Sequence, residues 1–217
     1  MKFTLTYNGS LPSSGNKPKN KAKSDIRQVF HPQLKELWDS NPALLDLGSI
    51  RFFPKNGAGL VYENHHDFPQ LTLPPNPLEV QNGNILDLCK PFDKHGVWCQ
   101  PLVRNSFALH CGLKILFLRK EKPGKIYQGG DLDGRLKTLI DALSMPQHRE
   151  QVTFDNMPAT ATEPLHCLVE DDALISGLNI ASERLYGRDN QDIDYVALTI
   201  EVDIRVRQPK LYNQSFL

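Results

Sequence analysis

The sequence predicts an α+β protein, with a single domain whose mixed β-sheet is flanked by helices. Three segments alternate apolar and polar residues with the period of a β-strand, at residues 2–7, 107–120 and 194–206. Between the last two, residues 131–143 have the apolar spacing of an amphipathic helix. Because no regular strand–helix repeat connects these segments, the pattern favours α+β over α/β.

Size and composition limit the class of protein. The 217 residues suit one domain with a substantial core and are few for two. With 25 basic and 25 acidic side chains, the overall charge indicates neither a nucleic-acid nor a membrane partner. No apolar run approaches the ~18 residues of a membrane span, the start lacks signal-peptide features, and the four cysteines form no CxxC pair. We therefore expect a cytoplasmic protein with reduced thiols.

The N-terminal half contains few regular patterns. After the strand at 2–7, residues 8–21 are rich in Gly, Pro, Ser, Asn and Lys and predict an exposed loop. A short helix is predicted over residues 32–40, with Pro32 in its first turn. Residues 40–101 contain repeated prolines, Gly/Asn turns and only short apolar runs. They predict an irregular insertion on the core fold.

The segment from residue 107 to 143 has the clearest pattern. In "FALHCGLKILFLRK" one face is apolar and the other is partly so, which predicts a central strand. The helix that follows puts Asp133, Lys137 and Asp141 in one row, each four residues from the next. Its apolar positions lie on the opposite side: Leu132, Leu136, Leu139, Ile140 and Leu143.

The C-terminal part continues with a predicted loop over residues 144–164. "LHCLVEDDALI" predicts a short strand that ends in acids and joins the same sheet. Residues 173–185 are predicted to be partly helical. The last segment, 194–206, predicts a strand with alternate residues from Val196 to Val206 directed inward.

The aspartates at the start of the predicted helix have two interpretations. Asp131 and Asp133 suit a cap and a first-turn charge, which the helix dipole stabilises by up to ~1 kcal/mol. If the second acidic cluster, Glu170 to Asp172, lies at the same end of the sheet, three or four carboxylates converge and require a cation. Magnesium takes such oxygen ligands and keeps positions for water and phosphate. Lys137 would then stabilise phosphate charge, or else form an i,i+4 ion pair worth only ~0.3–0.5 kcal/mol.

Clusters of basic residues are candidate DNA contacts, because lysine and arginine neutralise phosphates where they share a surface. The alternative for each cluster is a solvated loop. The candidates are Lys17, Lys19, Lys21, Lys23, Arg119 and Lys120.

The motifs "DLDGRLKTLIDAL" and "VEDDALI" together resemble the core of the RusA family of Holliday junction resolvases, and "SLPSSGNKPKNK" is similar to that family's N-terminal loop. The resemblance implies a single RusA-like nuclease domain over residues 1–217, with the insertion at about 40–101. It also implies a homodimeric endonuclease, dependent on Mg²⁺ or Mn²⁺, that cuts branched DNA in recombination and repair. The implied catalytic residues are Asp131, Asp133, Asp172 and Lys137, with the three aspartates and Asp171 as candidate metal ligands.

Several features depart from the family's pattern. Gly134 stands where the family often has asparagine, and the regions 40–101 and 144–164 are long for a compact resolvase. The neutral overall charge is unusual for a protein that binds many phosphates. An alternative is a nuclease or DNA-binding protein of the same fold with a different nucleic-acid target, in a mobile element or in defence. Nucleotidyl transfer is disfavoured, because Gly129 and Gly130 directly precede the aspartates.

Overall fold

The computed structural model has an α+β architecture with two open mixed sheets, one antiparallel sheet and three α-helices among the residues it describes. None of these helices is long and apolar enough to cross a membrane. The described residues are 1–13, 19–49, 51–55, 59–63, 71–73, 86–87, 89–120, 132–152, 159–187, 192 and 194–217.

The helices and strands follow one another along the chain with short 3₁₀ helices at Arg149–Gln151, Asp172–Leu174 and Leu211–Phe216. In chain order the elements are β1 (Lys2–Ser10), α1 (Lys19–Ser40), α2 (Pro42–Ser49), β2 (Arg51–Lys55), β3 (Gly59–Glu63), β4 (Leu71–Leu73), β5 (Leu86–Asp87), β6 (Phe92–Lys94), β7 (Val97–Val103), β8 (Leu109–Arg119), α3 (Leu132–Leu143), β9 (Leu165–Val169), β10 (Ile175–Arg184) and β11 (Tyr195–Val206).

The main sheet has the strand order β1-β11-β8-β10 and confirms the three predicted strands. β11 runs antiparallel to β1 and β8, while β10 runs parallel to β8. Alternate residues of β8 and β11 are fully buried, including the paired Ile115 and Ile200. This face forms one core with α1 and α3. The opposite face is more exposed and more polar, as in many antiparallel sheets.

A second mixed sheet has the order β6-β7-β9, with β7 and β9 parallel. β6 and β7 form a hairpin in which His95 and Gly96 have φ of 57° and 77°, which is typical of a type I′ turn. The prediction that residues 40–101 are an irregular insertion is therefore wrong at its C-terminal end, because β7 is buried and pairs with β9. It is also wrong for 51–87, where β4-β3-β2-β5 form an antiparallel sheet.

α1 is much longer than the predicted helix over 32–40. It begins at Lys19, so that Pro32 lies inside it and not in its first turn. Proline removes a backbone hydrogen bond, which costs about 3 kcal/mol in a helix interior. The helix continues because a row of apolar residues four apart is buried over its length: Ile26, Phe30, Leu34 and Trp38.

α3 is confirmed over 132–143, although Asp131 lies outside the described residues. Its buried face includes Arg135, Thr138 and Ala142, so it is rotated from the face predicted by Leu132, Leu136 and Ile140, which are only half-buried. The rotation follows from packing against α1 as well as against β9.

The segment after α3 differs from the prediction in two respects. β9 is the expected short strand, but it joins β7 and not the main sheet. Residues 173–185 are not helical: β10 pairs with β8 from Ile175 opposite Cys111 to Arg184 opposite Arg119. β10 is an edge strand among the described residues, and its many exposed side chains obscure the alternation expected of a strand.

Candidate functional site

The first turns of α3 present a carboxylate and an ammonium group to solvent. Asp133 and Lys137 are both exposed and stand four residues apart on the helix. Within the described part of the chain, neither side chain has an ion pair, although this spacing permits one. Asp131 lies outside that part. The prediction that Asp133 and Lys137 share an exposed face is confirmed.

A buried arginine fixes the position of this end of α3. Arg135 is almost fully buried, and its Nη2 lies 3.4 Å from Oδ1 of Asp194, the residue before β11. Val196 of β11 stands opposite Arg119, the last residue of β8. The start of α3 therefore lies at the end of the main sheet where β8 and β10 finish.

Further acids surround the same end of the sheet. The backbone N–H of Asp194 donates to Oδ1 of Asp192 over 3.0 Å. Burial raises the pKa of Tyr7, and the negative charges of Asp25 and Asp192 raise this pKa further. The Tyr7 hydroxyl donates to the carbonyl of Ser10 at 2.7 Å. The sequence analysis missed these groups, although the run "DNQDIDY" before the last strand was a signal for them.

Asp171 and Asp172 lie elsewhere in the fold. Ser144, just after α3, forms a parallel bridge with Val169, so the chain beyond Val169 continues in the direction in which α3 ends. It then enters β10 opposite Cys111, near the start of β8. Asp171 caps the 3₁₀ turn by accepting from Ala173 N at 2.9 Å, and Asp172 is exposed.

The two acidic clusters therefore do not share one end of the sheet. Asp133 and Ser144 are separated by eleven residues of helix, roughly 16 Å, and Asp172 lies still farther along. A magnesium ion binds its oxygen ligands at about 2.1 Å. Asp133 and Asp172 of one chain thus cannot hold the same ion in this structure. Within one chain the expected convergence is not found, because β9 pairs with β7 and not with β8.

Asp141, the third residue of the predicted row, is occupied by an ion pair. Its Oδ2 lies 2.6 Å from Nζ of Lys23 on α1; the Lys23 side chain is largely buried and that of Asp141 is half-buried. Arg27, one turn later on α1, donates to the carbonyls of Asp141 at 2.7 Å and Ser144 at 3.3 Å. These cations stabilise the C-terminal end of α3, where carbonyl groups accumulate negative charge.

Burial also removes some candidate DNA contacts. Lys23 is committed to Asp141, and Arg119 is only 2% exposed, so neither presents its charge to a phosphate. Lys21 is exposed and Lys120 is half-buried. Lys17 and the side chain of Lys19 lie outside the described part of the chain.

The described acids do not on their own form a metal site. Among the residues that the structure describes, no group of three His, Cys, Asp or Glu side chains is placed to hold one ion. Asp133 is close to the sheet end that carries Asp192 and Asp194, and Asp131 lies outside the described residues.

The fold and this site define an α+β protein that has, at the start of a helix, a carboxylate and an ammonium group, neither of which has an ion pair among the described residues. No family model, curated protein or solved structure matches the chain. The resemblance of its motifs to the RusA family stays a prediction.

Proposed function

We propose that this protein is a magnesium-dependent endonuclease that cuts branched DNA as a homodimer, with its catalytic site at the start of α3. The observation that carries the proposal is the state of Asp133 and Lys137. Both are exposed, and neither has an ion-pair partner among the described residues. Charged groups in this state are open to external ligands, the carboxylate to a cation and the ammonium to a phosphate.

The proposed roles follow from the chemistry of each side chain. Asp131 and Asp133 would supply oxygen ligands for Mg²⁺ or Mn²⁺, and the helix dipole favours negative charge in this first turn. The ion would polarise the scissile phosphate and lower the pKa of a bound water. Lys137 would stabilise the charge that develops on the phosphate oxygens. We do not assign Asp171 and Asp172 to this site, because within one chain they lie beyond the other end of α3.

The DNA surface proposed here is smaller than the sequence suggests. Lys21 on α1 is exposed and Lys120 after β8 is half-buried. Lys23 and Arg119 are buried. Affinity for DNA depends on the number of phosphates that exposed cations contact. Because few exposed cations are available, we expect the affinity for branched DNA to fall only slightly as the salt concentration rises.

The test is cleavage of a labelled four-way junction and a linear duplex, with magnesium or with EDTA. We expect metal-dependent nicks near the branch point and little cleavage of the duplex. Lys137→Met should slow cleavage while leaving binding of the junction intact. Lys114→Met is the matched control, because Lys114 lies on the exposed sheet face and pairs with Glu201. Loss of cleavage in Lys114→Met, or wild-type cleavage by Lys137→Met, would contradict the assignment.

A second candidate is a DNA-binding protein of this fold that does not cleave its target. The separation of Asp133 from Asp172 favours it, since the described residues contain no three-acid site. This candidate predicts that the junction is bound equally well with EDTA and is never cut. Metal-dependent nicking would eliminate it.

A further inference from the structure

The outer edge of β10 is open in the part of the chain that the structure describes. β10 is the last strand in the order β1-β11-β8-β10. The N–H of Leu185 donates to the carbonyl of Arg119 over 2.7 Å, so alternate residues of this segment direct their backbone groups to β8. The residues between them direct their backbone groups to the open edge: Leu178, Ile180, Ser182 and Arg184. This edge therefore presents a row of donors and acceptors with which another strand can pair.

The opposite edge of the same sheet is covered by a side chain of α1. At Thr6, in the middle of β1, the backbone N–H donates to Oε1 of Gln33 over 2.9 Å. Nε2 of Gln33 donates in return to the carbonyl of Thr6, also over 2.9 Å. Gln33 thus occupies the place of a neighbouring strand. The described residues give the outward backbone groups of β10 no such contact.

The composition of β10 does not block further pairing. Edge strands are commonly protected by charged side chains, especially lysine, or by proline. The stretch "ISGLNIAS", residues 175–182, contains neither. A register shift lies at its start, so the regular edge begins at Gly177, and the two residues that follow are also exposed. Leu178 is 43% exposed, which is unusual for a leucine in a strand and leaves apolar surface to be covered.

The strand is complementary to a second copy of itself. Leu178 and Ile180 lie on the side of the sheet that carries the core, in register with buried residues of β8. When two copies pair antiparallel about a two-fold axis through Asn179, Leu178 of each copy faces Ile180 of the other. The outward backbone groups of these two residues then bond to each other. On the other side of the sheet, Gly177 faces Ala181 of the second copy, and the two Asn179 side chains are neighbours.

The charges at the end of β10 also suit this pairing. In the same register Glu183 faces Ile175 of the second copy, and Arg184 faces Leu174. No two like charges are opposite each other, which would weaken the pairing. Any other strand must also be uncharged along its length and carry aliphatic residues at the same alternate positions. These requirements favour a second copy of this chain over an unrelated peptide.

We propose that two copies of this chain join through β10, antiparallel and about a two-fold axis at Asn179. The interface is isologous, because the same residues contribute from both subunits. It unites the four strands of each main sheet into one continuous sheet. The proposal identifies the interface of the homodimer in the proposed function, and it rests on that function for the number of subunits.

The test is sedimentation velocity of the full chain without DNA or magnesium. We expect a dimer. Asn179→Asp puts two carboxylates opposite each other with Cβ atoms about 5 Å apart, and should weaken dimerisation about tenfold or more. Asn179 is exposed, so this nearly isosteric change leaves the subunit intact. Asn8→Asp is the matched control, because Asn8 is exposed on β1 at the far edge of the sheet, and it should dimerise like the wild type.

A second measurement does not require the charged variant to fold. The Cα atoms of a non-hydrogen-bonded antiparallel pair are about 4.5 Å apart, within the range of a disulfide. Mild oxidation should therefore link Asn179→Cys to its counterpart in the second copy. Asn8→Cys, the control with the same native cysteines, should stay unlinked.

The outcomes separate the interface from the proposed function. A dimer that Asn179→Asp leaves intact, or that Asn179→Cys does not link, overturns the interface and leaves a homodimeric nuclease standing. A wild-type chain that sediments as a monomer overturns both the interface and the homodimer. Because neither measurement uses DNA or magnesium, a failure of nuclease activity does not affect the result.

Discussion

The Nζ of Lys23 lies 2.6 Å from Oδ2 of Asp141, and this ion pair joins α1 to α3 across a largely buried contact. The sequence predicts Lys23 as a DNA contact and Asp141 as part of a polar row with Asp133 and Lys137. In the structure these two residues instead form an ion pair with each other. Together with Arg27, they connect α1 to the C-terminal end of α3, the helix that begins near Asp133.

Lys21 and Lys23 should respond differently to the same substitution. Lys23→Ala leaves the half-buried Asp141 carboxylate unpaired, so we expect the free energy of unfolding to fall by about 1–3 kcal/mol. Lys21 is exposed, so Lys21→Ala should leave stability unchanged and weaken DNA binding. Urea denaturation and junction binding at two salt concentrations measure the two effects. Wild-type stability in Lys23→Ala would show that the ion pair does not join the helices.

Replacement of Pro32 should stabilise the protein. Pro32 is exposed inside α1 and cannot donate a hydrogen bond to the carbonyl four residues earlier. Pro32→Ala restores that donor, although it also increases the freedom of the unfolded chain. We expect a gain of about 1–2 kcal/mol in urea denaturation. A loss of stability would mean that α1 is interrupted at this position, as the sequence alone suggested.

Acid should destabilise the protein through His166. Its pKa is lowered from 6.5 to about 4, first by burial and then by the charges of His31 and Lys35. The unfolded chain therefore binds a proton at higher pH than the folded one, so this histidine's contribution to stability is complete above pH 6.5 and is lost as the pH falls towards 4. The loss should reach about 2 kcal/mol near pH 4.5.

The variant His166→Gln separates this effect from that of the carboxylates. It removes the titrating group, so its free energy of unfolding should change less between pH 7 and pH 4.5 than that of the wild type. Equal changes in the two proteins would show that His166 is protonated as readily in the folded state as in the unfolded one.

The sequence predicts elements best where packing imposes a strict pattern. β8 and β11 were predicted because their alternate residues face one core, whereas the edge strand β10 was missed because most of its side chains are exposed. The predicted helix began only at Pro32, because proline is common in the first turn of a helix. The apolar row from Ile26 was not recognised as part of the same helix.

The candidate site was predictable only in part, for a similar reason. The helix period placed Asp133 and Lys137 on an exposed face, because both positions belong to one element. The relation of Asp133 to Asp172 depends on which strand β9 joins, and pairing with β7 is not encoded in the local pattern. The burial of Lys23 and Arg119 likewise depends on contacts with distant parts of the chain.

The most direct test of the proposed site compares Asp133→Asn with Asp172→Asn in magnesium-dependent cleavage of a four-way junction. Asp133→Asn should reduce the rate a hundredfold or more, because it removes a charged metal ligand worth several kcal/mol, about 1.4 kcal/mol per factor of ten. Asp172→Asn should cleave within about threefold of the wild-type rate, an effect below about 1 kcal/mol, since Asp172 lies beyond the other end of α3. Unchanged cleavage by Asp133→Asn, or its loss in Asp172→Asn, would contradict a catalytic site built at the start of α3.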